Sequence, residues 1–437
     1  MRTRGMPSRR VTSIASAALG LLLVGLSAGP AQAESIRARQ WYLDAMHAPE
    51  IWKTSTGRGM TVALIDSGVD DSLADLKGQV LDGKDFSSLR GDEHTDVAGH
   101  GTSMAAIIAA TGALGGVDAS YGLAPGAKIL PIRMLDSQEV SGQMDATTEY
   151  SEKLTQAIRY AADSKAQIIN MSLALSDAPG RHDVGTPELA AAVRYALSKG
   201  KLLFAGVGNR GDKENLPSYP ASTPGVVGVG AVDEDATVAA FSQQGPEVDM
   251  TAPGVDMVHA CAKGTQLCKT QGTSDATAIA SASAALIWSA HPDWTNNQVL
   301  RVMLKTLGKS TDGADRNDAL GYGVVRPRRA FTQTVDPGPA DVYPLPDLAA
   351  AAAKSPSPKA PKPTAPAKHE EAAESGGGGN TLLWTGVGVA AALLIGAGVT
   401  VGVLRSRRRT PVAPPPPAYP PYVPAPADPQ HRTEQNP

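Results

Sequence analysis

Thr61-Val-Ala-Leu-Ile-Asp66-Ser-Gly68 decides how this chain is read. An unbroken apolar run closed by a glycine turn describes a strand buried on both faces, and a carboxylate at the end of such a strand stands where isolated charge is costly. Two further glycine-marked stretches answer it downstream: Gly99-His100-Gly-Thr102 and Gly272-Thr-Ser274. Together they supply a carboxylate, an imidazole and a hydroxyl, the groups that nucleophilic acyl transfer requires. Serine is a poor nucleophile at neutral pH, so His100 is the candidate base for the Ser274 proton, and Asp66 the group that fixes the imidazole tautomer.

The same strand pattern recurs at Met60–Ile65, Lys128–Leu135, Ile168–Leu173, Lys201–Val207 and Val226–Val232. Helix-forming stretches lie between or after them, at Ser151–Ala162, Thr186–Ser198 and Thr277–Ser289. The alternation predicts an α/β fold with a mostly parallel sheet covered on both faces. In such sheets the carboxyl ends of the strands carry the site. Asp66 follows the first strand, Ser172 ends the third, and Asn209 follows the fourth within Ala205-Gly-Val-Gly-Asn209. The Ala- and Ser-rich run Asp275–Trp288 places Ser274 at a helix amino terminus, where free backbone N–H groups can meet an oxyanion.

Composition shifts leave one region able to build a large core, from about Glu34 to Gln333. Before it, Arg2, Arg4, Arg9 and Arg10, the apolar run Ile14–Leu26 and Ala31-Gln32-Ala33 read as an export signal over 1–33. Residues 34–60 form an extension, shorter than the roughly 40 residues an independent inhibitor domain needs, that is expected to pack through Trp41, Tyr42, Leu43, Ile51 and Trp52. The catalytic domain is placed at 61–333 and a Pro-, Ala- and Gly-rich tether at 334–380. Leu382–Leu404 carries no charge and is followed by Arg405, Arg407, Arg408 and Arg409. That pattern predicts a transmembrane helix at 381–404, a cytoplasmic tail at 405–437, and a single-pass cell-membrane protein with its catalytic segment outside.

A net charge of −3 with no basic stripe outside the membrane flank argues against a nucleic-acid partner. Cys261 and Cys268 lie in the exported segment and are expected to form a disulfide. No Cys and His cluster has zinc spacing, and the acids at Asp70, Asp71, Asp312 and Asp315 do not form a recognisable calcium loop, so no metal or other cofactor is expected.

Asp66-Ser-Gly-Val69, His100-Gly-Thr102, Gly208-Asn209 and Gly272-Thr-Ser274 resemble the four signature sites of the subtilisin-family serine peptidases, the subtilases, and the resemblance runs from about Gly57 to Arg329. Within that family the chain most resembles the mycosins, the membrane-anchored peptidases of type VII secretion systems. The likeness rests on Gln40-Trp-Tyr-Leu-Asp-Ala-Met-His-Ala-Pro49, on Thr56-Gly-Arg-Gly59, and on the tether, membrane stretch and basic tail. It implies a three-layer subtilisin-like domain acting on a protein or peptide substrate. It also implies type VII membrane components as partners, a second oxyanion donor at Asn209, and a substrate-pairing segment at Ser172, Leu173 and Ala174. The rival expectation is a structural subunit that stabilises a secretion complex, with proteolysis secondary.

Two positions depart from the family pattern: Ala278 stands where a proline is usual, and Asp275 where a small or hydrophobic residue is usual. Alanine favours the helix. An acid beside the nucleophile either raises the pKa of His100 or caps the helix while pointing away. With His100 as base, activity should fall as pH drops through the range where a free imidazole protonates, near roughly 6.5; a pH–rate profile flat across that range would remove His100 from the role.

Overall fold

The computed structural model describes residues 35–135, 144–177, 180–262, 267–310 and 313–354. The export segment, the membrane stretch, the tail and the tether beyond residue 354 lie outside the described residues. None of the described helices is long and apolar enough to cross a membrane.

Seven strands form one sheet: β1 (Thr61–Asp66), β2 (Lys84–Asp85), β3 (Lys128–Arg133), β4 (Ile168–Met171), β5 (Leu202–Gly206), β6 (Val227–Val232) and β7 (Met250–Pro253), in the order β2-β3-β1-β4-β5-β6-β7. Every pairing is parallel. β1 lies between β3 and β4, with Asp66 opposite Arg133, so the carboxylate leaves the sheet near its middle at the carboxyl edge. Successive β1 side chains divide between two cores, as the two-residue strand period demands. Val62 and Leu64 enter one, Ala63 and Ile65 the other.

The first core is filled by α4 (His100–Ala109) and α7 (Thr273–Ala290), the second by α5 (Met144–Asp163) and α6 (Pro187–Ser198). These are the outer layers of a three-layer α/β/α domain. Small side chains let α7 lie close against the sheet; from Thr273 to Trp288 it buries every residue except Ser274. A specific polar tie joins it to the sheet: Asn170 Nδ2 on β4 donates to Ser281 Oγ at 2.9 Å. Helix α8 (Asn296–Thr306) begins with a capping box between Thr295 and Gln298.

Residues 35–60 form three short helices, α1 (Ile36–Arg39), α2 (Trp41–Ala45) and α3 (Ala48–Ile51). Tyr42, Leu43 and Ile51 are buried in the first core. The two tryptophans pack half-buried against that core and satisfy their N–H groups, Trp41 on the Val255 carbonyl at 3.1 Å and Trp52 on the Leu123 carbonyl at 2.9 Å. Tyr42 donates to the Val258 carbonyl at 3.2 Å and accepts from Gln40 Nε2 at 2.7 Å. Burial pushes its phenol well above the ordinary range, so it stays a neutral donor.

Several expectations shift in detail. Strand β7 escapes a reading based on apolar runs because it is short and ends in proline. Helix α4 escapes it because His-Gly-Thr-Ser reads as loop. Strand β4 stops at Met171, leaving Ser172 just beyond its end, and α7 starts at Thr273 rather than Thr277.

The folded body also runs on past residue 334. Val335 and Tyr343 pack on the first core, Leu345 is buried within it, Gly225 N–H donates to Asp347 at 2.6 Å, and α10 (Asp347–Lys354) follows the short α9 (Arg328–Thr332). A proline-rich chain is poor in donors but keeps its carbonyls, and α8 supplies the donors. Arg301 bonds the carbonyls of Pro337 at 2.7 Å and Pro339 at 2.9 Å, Lys305 that of Asp336 at 2.9 Å, Gln298 that of Gly338 at 3.0 Å, and Asn297 that of Ala340 at 2.9 Å. Arg301→Ala should therefore raise hydrogen exchange across 340–354 while leaving exchange in β1 and β4 unchanged; equal protection of 340–354 in the variant would show that the apolar contacts suffice.

Candidate active site

Asp66 ends β1, and its Oδ1 accepts from His100 Nδ1 at 2.7 Å and from the Ser67 N–H at 2.8 Å. The carboxylate is 4% exposed and the imidazole 36%, so the acid is walled in while the ring reaches solvent. Such a pair holds the imidazole orientation from below and leaves its far nitrogen toward the open side.

What places His100 is a second carboxylate. Asp96 is buried; its Oδ1 accepts from Ser67 Oγ at 2.8 Å and Gly99 N at 2.7 Å, and its Oδ2 from Thr102 N at 2.8 Å and Thr102 Oγ1 at 2.6 Å. Ser67 Oγ in turn accepts from Gly101 N at 3.0 Å. Asp96 thus takes N–H groups that the first turn of α4 cannot satisfy within the helix, and couples that turn to the loop after Asp66. Gly101 permits the approach, since a Cβ there would lie 2.0 Å from the Gly68 carbonyl oxygen.

Ser274 stands in the first turn of α7, where its Oγ donates to the Ser172 carbonyl at 3.1 Å. The Ser172 hydroxyl faces inward, 2.9 Å from Asn170 Oδ1 and 3.0 Å from the Ser274 carbonyl. The end of β4 and the start of α7 are therefore joined in both directions.

Asn209 is oriented by its oxygen. Oδ1 accepts from Thr273 N at 2.8 Å and Thr273 Oγ1 at 3.1 Å, while Gly208 N donates to Thr273 Oγ1 at 3.2 Å. With the oxygen taken, the amide presents Nδ2 as a donor toward the turn before Ser274. A Cβ on Gly272 would sit 3.5 Å from Asn209 Nδ2 and 3.6 Å from Ser274 N, so the glycine keeps open the space between two donors. Gly208 has φ +107 and would drive a Cβ to 2.0 Å from Gln243 Oε1, which fixes glycine there on both counts.

All the site residues expected from the sequence line one cavity of about 1490 Å³: Asp66, His100, Ser274 and Asn209, with Ser172, Leu173 and Ala174 along one wall. The cavity is also lined by Cys261, Leu267, Cys268 and Thr270, from the antiparallel ribbon of β8 (Met257–Ala260) and β9 (Leu267–Thr270), whose strands are joined by the Cys261–Cys268 disulfide. Asp275 faces inward and interacts electrostatically with His100. Its carboxyl is buried and hydrogen-bonded to Thr270 Oγ1 on that ribbon. Among the described residues no group of His, Cys, Asp and Glu is arranged to hold a metal ion. Sequence reading missed Asp96, Thr270, Thr273 and His259; only Asp96 carried a signal, as an acid ahead of a helix that opens on Gly-His-Gly-Thr.

The subtilase family profile, Peptidase S8, matches residues 57–323, and the chain belongs to that family. It is a serine-type endopeptidase. It is 36% identical over 254 residues to the major intracellular serine protease of Bacillus subtilis (strain 168), covering 56% of this chain and 74% of that one. Its structural neighbours are mycosins: it is similar to the MycP3 protease from the type VII (ESX-3) secretion system, with 30% identity and a TM-score of 0.58 over 67% of this chain and 88% of that one. A chain of the intact ESX-5 inner membrane complex is similar over 86% of this chain and 92% of its own length, with 26% identity and a TM-score of 0.59.

Asp96→Ala should cost about 1–3 kcal/mol for each buried donor left unpaired and should slow labelling by a fluorophosphonate, with Asp96→Asn milder in both. Unchanged melting temperature and labelling rate in the alanine variant would show that α4 holds its start without the acid.

Proposed function

We propose that the chain is an exported, membrane-anchored serine endopeptidase associated with type VII secretion, and that Asp66, His100 and Ser274 are its catalytic triad. The observation that carries this reading is the Asp66–His100 hydrogen bond of 2.7 Å, set in the wall of the cavity that also receives Ser274 at a helix amino terminus.

A substrate strand lies along Ser172, Leu173 and Ala174, held through backbone hydrogen bonds as an added strand. Ser274 Oγ leaves the Ser172 carbonyl and attacks the substrate carbonyl carbon as His100 Nε2 takes its proton. Asp66 holds the other ring nitrogen and stabilises the imidazolium that forms. The negative charge that develops on the substrate oxygen is met by Ser274 N–H, favoured by the positive end of α7, and by Asn209 Nδ2. His100 then gives its proton to the departing amine, and water, activated by the same imidazole, frees the acyl group.

Export and anchoring rest on the sequence: the basic and apolar start, and the uncharged Leu382–Leu404 followed by arginines. The secretion assignment is supported by the structural neighbours named above and by the length over which they match.

Ser274→Ala should abolish fluorophosphonate labelling. Asn209→Ala should lower the rate by about 10²–10³, the loss measured for the equivalent donor in subtilisin rather than one derived from this structure. Gly272→Ala should lower activity without lowering the melting temperature, because its Cβ meets only ordinary contacts but fills the space between the donors. For the cellular role, secretion is compared in a Ser274→Ala strain and a deletion strain. Loss in both supports proteolysis as the main role, and full secretion by the Ser274→Ala strain beside loss in the deletion assigns it to structure.

A further inference from the structure

Asp275 takes part in no step of the mechanism, yet it follows Ser274 directly and is 2% exposed. Its Oδ1 is hydrogen-bonded to Thr270 Oγ1. That same hydroxyl lies 2.9 Å from Nε2 of His259, a fully buried ring whose Nδ1 is 2.8 Å from the Ala260 carbonyl oxygen. The result is an acid, a hydroxyl and an imidazole in series, running from the residue beside the nucleophile into β8.

Counting protons restricts what this series can be. A carbonyl oxygen only accepts, so His259 Nδ1 must carry a proton. Thr270 has a single hydroxyl proton to give. With that proton given within the series, all three contacts are hydrogen bonds in two arrangements. In one, His259 is an imidazolium that donates to Thr270, and Thr270 donates to an ionised Asp275. In the other, His259 is neutral, Thr270 donates to Nε2, and a protonated Asp275 donates to Thr270. Both contain the same number of protons. If that shared proton is removed, one contact becomes two acceptors facing each other in the interior.

We infer that Asp275 and His259 share one proton through Thr270, and that it rests on Asp275, so that the residue beside Ser274 is a neutral carboxylic acid. The neutral arrangement spares the interior two separated charges. Burial acts in the same sense on both ends. It pushes Asp275 up to about 6 against the pull of Thr270 and of His100, and pushes His259 down to about 4. The titratable groups that face the series from neighbouring elements are His100 on α4 and Tyr42 on α2.

The consequence for catalysis rests on Ser274 being the nucleophile. Below about pH 6 the neutral acid leaves the helix dipole and the two N–H donors unopposed, whereas the anion formed as pH rises past that value opposes the negative charge gathering at the amino terminus of α7. Asparagine is a mimic of the neutral acid, since an amide N–H can also donate to Thr270.

The linkage has a definite sign. Asp275 titrates higher in the folded chain than its ordinary 3.8, so the stability it contributes is present below that value and is lost as pH rises through about 6. His259 titrates below its ordinary 6.5, so its contribution is present above that value and is lost as pH falls through about 4. Asp275→Asn should therefore gain melting temperature relative to the unaltered chain as pH is raised through about 6.

The test uses histidine side-chain ¹⁵N spectra of the purified full chain midway between the two values, at about pH 5, with His259→Gln to assign the signal. A neutral Nδ1–H tautomer is expected, and a doubly protonated ring overturns the inference. At about pH 5, fluorophosphonate labelling of Asp275→Asn should stay within about threefold of the unaltered chain, and a tenfold or greater loss would mean that the charged acid is the working form. If the unaltered chain itself resists labelling, the proposed nucleophile fails, while the tautomer still decides where the proton lies.

Discussion

A single buried carboxylate sets the terms for the rest of the molecule. Asp66 stands at the end of an interior strand, almost closed to solvent, where it is tolerated because Ser67 and His100 both donate to it. That requirement fixes where α4 must begin. The helix cannot start one residue earlier or later and still bring the imidazole to Asp66, and Asp96 enforces the start by gathering N–H groups of its first turn. Two buried acids, one for the ring and one for the helix that bears it, therefore act together through Ser67, which touches both.

The proposed nucleophile is held differently. Ser274 owes its place to a long Ala-rich helix packed into the sheet and tied to it at Asn170 and Ser172. Dense packing of small side chains leaves little room for that helix to slide, so the position of its first turn is inherited from the whole core rather than from one contact. Asn209 completes the arrangement because Thr273, one residue before Ser274, captures its oxygen and so decides which way the amide points. The donors and the hydroxyl belong to one interlocked turn.

Much of this was legible in the sequence, and the limits have physical causes. Long apolar runs such as Thr61–Ile65 and Leu202–Gly206 announce interior strands because both faces are buried. The catalytic residue types stood out because each has its own glycine context. What could not be read was set by tertiary partners: α4 forms from a glycine- and serine-rich stretch because Asp96 caps it, and β7 is a strand only because β6 offers it an edge. The stretch 335–354 looks unable to fold by composition, and by itself it has few donors. Side chains from α8 supply them to its carbonyls. The role of Asp275 was likewise hidden, since its partner Thr270 lies on a ribbon whose pairing with β8 no local pattern reveals.

The leading segment, residues 35–60, supplies none of the residues that line the cleft. It lies beneath the ribbon, where Trp41 and Tyr42 hold the backbone of Val255 and Val258, and its apolar side chains complete the first core. A segment with that placement is a footing, not a stopper. Trimming it would uncover no entrance among the described residues and would loosen the ribbon from below, so this segment bears on the cleft through the core it shares and not by covering the mouth.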